Sequence, residues 1–152
     1  MDIVKTYPLA QRLPELKEEL LELWAESVEQ THHFLEHEDI QTLKPAVLAA
    51  LGEIPVLAAA FDKEEQINGF IGVQNRKVEM LFLRPRAIGL GLGRLLLTWA
   101  VQTTEAYLVD VNEQNHSALA FYLKMGFEIF SRSEADSQNN PFPLLHLKLI
   151  GS

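Results

Sequence analysis

The 152-residue chain has no cysteine, and that single absence excludes a disulfide framework, a thiolate metal site and a cysteine nucleophile together. Its chemistry must run on oxygen, nitrogen or a cofactor. Long apolar runs are missing as well. Nothing approaches the ~20 consecutive apolar residues of a membrane span, and the opening MDIVKTYPLAQR lacks the basic-then-apolar order of a secretory signal. A cytoplasmic protein with no membrane partner is expected. Positive charge is scarce: 13 Lys and Arg face 21 Asp and Glu, a net charge of −8, which argues against nucleic acid as a ligand.

What is present fits one globular domain over residues 1–152, because 47% hydrophobic residues supply a sizeable core. The charge is unevenly spread. Residues 1–40 carry ten acidic and three basic side chains, whereas over residues 76–94 Arg76, Lys77, Arg84, Arg86 and Arg94 face only Glu79. Such a division suits an anionic ligand at the second segment and a cationic one near the first. The plainer reading is that Glu15, Glu18, Glu19, Glu22, Glu26 and Glu29 form the solvated face of a helix.

The patterning supports that helix. From Leu13 the apolar residues Leu16, Leu20, Leu23, Trp24 and Val28 recur every three to four positions. A second helix is expected over Gln41 to Leu51, closed by Gly52 with Pro55 beyond. PVLAAAFD, INGFIGVQ and KVEMLFLRP are separated by KEEQ and NR and read as an antiparallel meander. Leu95 to Thr103 reads as a helix, AYLVDV as a strand, Ala118 to Met125 as a helix ended by Gly126, and FEIFSRS with LLHLKL as a final strand pair. With IVK as a first strand, the order is β-α-α-β-β-β-α-β-α-β-β, an α+β fold.

IGLGLGRLLL places Gly89, Gly91 and Gly93 at the entry to a helix, where free backbone N–H groups and the positive end of the dipole favour a phosphate. A P-loop would need Lys-Ser or Lys-Thr at its end, and Gly93 is followed by Arg94 and Leu95. A dinucleotide fingerprint would need G-x-G-x-x-G. Asp110 lies at a suitable distance for the ribose acid, but the glycine spacing is G-x-G-x-G. The third reading is a pyrophosphate loop between a sheet strand and a helix.

EMLFLRPRAIGLGLGRLLL, followed about twenty residues on by VNEQNHSALAFYLKMGF, resembles the two signature segments of the GNAT superfamily of N-acetyltransferases. WAESVEQTHHFL adds a resemblance to its small bacterial YjaB-like branch. The resemblance implies a mixed, mostly antiparallel central sheet flanked by about four helices. It also implies direct transfer of acetyl from acetyl-CoA to a small amine or to an amine of a peptide or protein, by a monomer or homodimer without a metal. The family pattern Arg/Gln-x-x-Gly-x-Gly/Ala falls on Ile88, Gly89, Leu90, Gly91, Leu92 and Gly93, with Ile88 in place of the usual polar residue. Arg86 or Arg94 is available to compensate. Leu81, Phe82 and Leu83 fall on the strand that pairs with the pantetheine arm, and Asn115 falls near the start of a helix, where capping it and binding coenzyme A are both open.

Tyr122 occupies the family's general-acid position, able to protonate the departing sulfur. Glu79 is the candidate base that takes the amine's proton, and its alternative is a solvent-facing strand residue; His32, His33, His116 and His146 are further candidates. Trp24, His32 and Phe34 fall where the N-terminal helices form the acceptor wall. HHFLEHE also holds His33, Glu36 and His37 in the H-x-x-E-H order of a zinc peptidase, without a clear third ligand. A GNAT-fold protein that binds acetyl-CoA without turnover is the other reading; Ile88 hints at it and Tyr122 speaks against it.

Overall fold

A computed structural model describes residues 3–31, 35–136 and 139–151. Its elements follow the expected order: β1 (Ile3–Thr6), α1 (Pro14–Thr31), α2 (His37–Glu53), β2 (Val56–Phe61), β3 (Ile67–Gln74), β4 (Lys77–Leu83), α3 (Leu92–Thr104), β5 (Leu108–Asn112), α4 (His116–Lys124), β6 (Phe127–Ser133) and β7 (Leu144–Leu149). One seven-stranded sheet runs β1-β2-β3-β4-β5-β7-β6. Every neighbouring pair is antiparallel except β4 and β5.

Two apolar cores lie on opposite faces of this sheet. On one, Leu20, Leu23, Trp24, Val28, Ile40 and Leu51 from α1 and α2 pack with Leu57, Phe70 and Met80. On the other, Leu92, Leu96, Leu97 and Ala100 of α3 and Tyr122 of α4 pack with Ile71, Val109, Val111 and Leu147. Strand β2 is covered on both faces. Ala58, Ala59 and Ala60 are all fully buried, which explains an apolar run without alternation. The NR turn between β3 and β4 puts Asn75 and Arg76 at φ 52° and 62°, the two positive angles of a tight two-residue hairpin.

Four boundaries differ from the sequence reading. Helix α2 begins earlier, because Glu36 and Asp39 cap its first turn reciprocally. It runs through Gly52, so Gly52 does not close it; Ile54 does, in extended conformation before Pro55. Leu13 precedes α1 and is 61% exposed, outside the buried stripe. Helix α3 starts at Leu92, three residues sooner than periodicity gave, because the glycine loop leads straight into it.

Arg12 fastens the α1/α2 layer to the sheet. It is buried, and its guanidinium donates to the carbonyls of Tyr7 (2.9 Å), Leu51 (3.2 Å), Ile54 and Pro55 (3.3 Å). Those acceptors include carbonyls at the α2 C-terminus, which have no partner inside the helix, and a cation there also meets the negative end of the dipole.

A wedge between strands β4 and β5

The site begins with a defect in strand pairing. Along β3 and β4 the partners run Ile71 with Leu81, Gly72 with Met80, then Val73 with Val78, so Glu79 is the extra residue of a β-bulge. Beyond it β4 separates from β5, and the parallel ladder consists only of Lys77 with Leu108 and Val78 with Val109. The strands diverge into a cleft lined by Glu79, Leu81, Phe82, Asp110, Asn115 and Tyr122, among others.

The open edge of β4 presents backbone. Arg84 N–H donates to the Asn68 carbonyl of β3 at 2.8 Å. Strand alternation therefore turns the backbone groups of Phe82 and Met80 toward β3, and those of Leu81 and Leu83 toward the wedge. The side chains of Leu81 and Leu83 pack on the α3 side, so core packing and an available backbone coexist. Phe82 lies on the other side, its ring 5.8 Å from Phe70.

At the end of β4 the glycine loop divides its labour. Gly89 and Gly91 have φ of +86° and +84°, and a Cβ at either would meet nothing within 4 Å; they are needed for left-handed backbone beside open space. Gly93 is different. A Cβ there would meet the Phe121 ring at 3.4 Å, so it lets α3 approach α4. No side chain caps α3, and the N–H groups of Leu92, Gly93 and Arg94 belong to the first turn, which has no acceptor inside the helix. Leu92 is buried and offers only its backbone, while Ile88 and Leu90 are 48% and 75% exposed. Of the two arginines, Arg86 is tied to Asn68 Oδ1 at 3.1 Å, and Arg94 stands exposed on the first turn of α3.

Tyr122 approaches the wedge from α4. It is 5% exposed, its ring set edge-on against Phe121 and Phe127 at 5.0 and 5.5 Å. Its hydroxyl is not sealed in, since no side-chain N or O among the described residues is both enclosed and unpartnered. Burial pushes the phenol well above its ordinary pKa, so it is protonated at neutral pH. Asn115 performs the capping role, its Oδ1 accepting from Ala118 N–H at 3.2 Å, and it also lines the cleft.

Glu79 lies at the bulge, solvent-exposed at the lip of the cleft. Although the residue is exposed overall, the cleft wall partly desolvates its carboxyl and pushes the pKa upward; Lys77 opposes the rise and Asp110 adds to it. Val109 and Val111 face α3 and α4, so alternation points Asp110 to the opposite face of the sheet.

Several expected residues are placed elsewhere. Trp24 is buried in the α1/α2 core at 5% exposure; it belongs to the apolar stripe that anchors α1, and presents almost no surface to a substrate. His32, His33 and Phe34 lie outside the described residues. Asp110 is no ribose acid: it pairs with Lys77 and with His146 Nδ1 at 2.6 Å. No group of three potential metal ligands occurs among the described residues. Sequence reasoning missed the bulge at Glu79 and the side-chain chain through Asp110. The signal for the latter was a lone polar residue between buried apolar ones in both LVDVN and LLHLKL.

Comparison with known proteins matches this geometry. Residues 19–146 match the family described as acetyltransferase (GNAT) domain. The chain is similar to the peptidyl-lysine N-acetyltransferase YjaB of Escherichia coli, 36% identical over 135 residues that cover 89% of this chain and 91% of that protein. A solution structure of apo YjaB from Escherichia coli superposes with a TM-score of 0.86 at 34% identity, covering 100% of this chain and 99% of that one. The fold is shared with the PaiA N-acetyltransferase of Thermoplasma acidophilum solved in complex with coenzyme A, at TM-score 0.70 and 21% identity over 97% of this chain and 99% of that one. The family model over most of the chain and a relative of this identity agree: the chain belongs to the GNAT family of N-acetyltransferases.

Proposed function

We propose that the protein transfers acetyl from acetyl-coenzyme A, held along the β4–β5 wedge, to the side-chain amine of a lysine in a peptide or protein. One observation carries the reading: Tyr122 and Glu79 both line the cleft that opens where β4 parts from β5. The resident residues fit the donor. Gly89 and Gly91 allow the left-handed backbone that leads the loop into α3 beside open space, the first-turn N–H groups of α3 can hold a pyrophosphate, and Arg94 supplies the positive charge that Ile88 does not.

Each residue then has a task. Leu81 and Leu83 hydrogen-bond the pantetheine amides through their backbone, and a backbone N–H of β4 stabilises the oxyanion that develops on the thioester carbonyl. Glu79 takes a proton from the acceptor ammonium, leaving a free amine to attack. The C–N bond forms, the C–S bond breaks, Tyr122 donates its proton to the departing sulfur, and the proton that the new amide nitrogen sheds restores the phenol through water. No acyl-enzyme is needed in the wedge.

A lysine acceptor is supported by the peptidyl-lysine specificity named for YjaB and by the charge around the entrance. A cleft of about 350 Å³ between α1 and the start of the glycine loop is lined by Glu26, Glu29 and Gln30 opposite Arg84, Pro85 and Arg86. The acidic face of α1 is partly engaged, since Arg84 binds Glu26 at 2.9 Å and Glu19 at 3.6 Å, but Glu29 stays exposed. The reading places the protein in the cytoplasm; no helix of the described residues is long and apolar enough to cross a membrane.

Mass spectrometry tests the acceptor. Wild-type protein, acetyl-coenzyme A and two peptides, one offering only a lysine Nζ and one only an α-amine, should give acetyl on Nζ. Acetyl on the α-amine alone would reassign the acceptor. No acetyl on any amine would leave a coenzyme-binding protein without turnover.

A further inference from the structure

A second constellation crosses the sheet from strand to strand. Lys77 of β4 pairs with Asp110 of β5, Asp110 Oδ1 lies 2.6 Å from His146 Nδ1 on β7, and His146 Nε2 lies 2.6 Å from Ser133 Oγ on β6. A carboxylate paired with a lysine can only accept, so Nδ1 of the neutral ring carries the proton. The Nε2 lone pair then faces the serine hydroxyl, which donates to it. This is the order nucleophile, base and orienting acid that activates hydroxyls in acyl chemistry.

The setting favours reactivity over simple pairing. All three strands are laddered, with Asp110 opposite His146 and His146 opposite Ser131, beside a register shift in β6 between Ile129 and Ser131. Alternation puts Asp110 and His146 on the sheet face away from α3 and α4, whose side is taken by Val109, Val111, Leu145 and Leu147. His146 and Asp110 each keep 22% of their side-chain surface, and Ser133 is half-buried. Around the ring, β6 contributes Phe130 at 6.4 Å, over whose own ring Lys148 of β7 lies, and β4 contributes Lys77 behind Asp110.

We propose that Ser133 is an activated nucleophile that accepts an acyl group from a thioester or an activated ester. In the step, Ser133 Oγ bonds to the carbonyl carbon while its proton passes to His146 Nε2. Asp110 stabilises the imidazolium, the bond from carbon to the leaving sulfur or oxygen breaks, and the imidazolium returns the proton to that atom. The product is a serine ester on β6, two strands removed from β5 and outside the wedge. The proposal does not rest on acetyl transfer through Tyr122.

The test is acylation of the whole protein by p-nitrophenyl acetate and, separately, by acetyl-coenzyme A, followed by peptide mass spectrometry. An acetyl group on Ser133, removed by hydroxylamine as an ester must be, is the expected result. Ser133→Ala should lose it. His146→Gln, checked for folding by circular dichroism, should slow it about 100-fold. Wild-type protein without acetyl on Ser133, or a His146→Gln variant acylated there at the wild-type rate, would overturn the proposal. Either failure leaves amine acetylation by wild-type protein unaffected, so the two readings fall separately.

Discussion

At the scale of single residues, the wedge gives the proposed proton donor, Tyr122, and the proposed proton acceptor, Glu79, different environments. Tyr122 is enclosed by aromatic rings, and burial holds it protonated. Replacing it by Phe keeps the ring packing and removes the proton, so kcat should fall about 100-fold while the Kd for acetyl-coenzyme A stays unchanged. Steady-state kinetics with calorimetry checks both, and unchanged turnover would remove Tyr122 from the mechanism. Its raised pKa also predicts that turnover shows no alkaline loss from this residue up to about pH 10, the ordinary phenol value.

Glu79 has the opposite requirement. Its carboxyl is raised from an ordinary value near 4.5 by burial, with Lys77 opposing the rise and Asp110 adding to it. A raised acid favours its protonated form in the fold, so the stability it adds is full below the ordinary value and is lost as pH rises through the raised one. Activity runs the other way: only the ionised form accepts a proton. kcat/KM should therefore show an acid limb above the ordinary carboxylate range, and Glu79→Gln should flatten that limb while lowering kcat. A pH–rate profile of the two proteins measures it; a limb that persists unchanged in Glu79→Gln would assign the base elsewhere.

At the scale of elements, legibility tracked what is local. The eleven strands and helices follow from periodicity and from turn residues such as Asn75, Arg76 and Gly126, whose backbone angles each turn dictates. The glycine loop was readable because its physics lies within six residues. The bulge at Glu79 was not, since an extra residue in a strand shows only against its partner, and KVEMLFL alternates no more oddly than its neighbours. Trp24 illustrates the same limit. Helical spacing put it on the apolar stripe, but only the packing of α1 on β3 and β4 decides that this stripe is core and not acceptor wall. Arg12 went unnoticed for the same reason, because its acceptors are about forty residues away at the end of α2. Removing it strands those carbonyls: Arg12→Met should cost about 3 kcal/mol, a fall in Tm of roughly 6–12 °C for a chain of this size. Thermal unfolding measures it, and a change under 2 °C would show that water replaces the guanidinium.

At the scale of the whole molecule, the proposed function assigns the two substrates to regions of opposite charge. Of the basic segment, Arg94 stands on the first turn of α3 proposed for the pyrophosphate, whereas Arg76 lies at the other end of α3 beside Glu105 and Lys77 pairs with Asp110; the acidic residues of α1 border the entrance at Glu26 and Glu29. Exposed charges act over about 8–10 Å at moderate ionic strength, so steering of a cationic peptide should weaken with salt. KM for a lysine peptide should rise as ionic strength goes from 50 to 500 mM, with kcat little changed. A salt-independent KM would count against the acidic entrance.

The central claim is that acetyl-coenzyme A lies along the wedge with its pyrophosphate at the start of α3. Amide chemical shifts of the labelled protein during titration with acetyl-coenzyme A test this most directly. The account predicts saturable shifts at Gly89, Gly91 and Gly93 through Arg94, at Leu81 and Leu83, and at Asn115 and Tyr122. Saturation that leaves these amides in place while others move, or no shift at millimolar ligand, would contradict it.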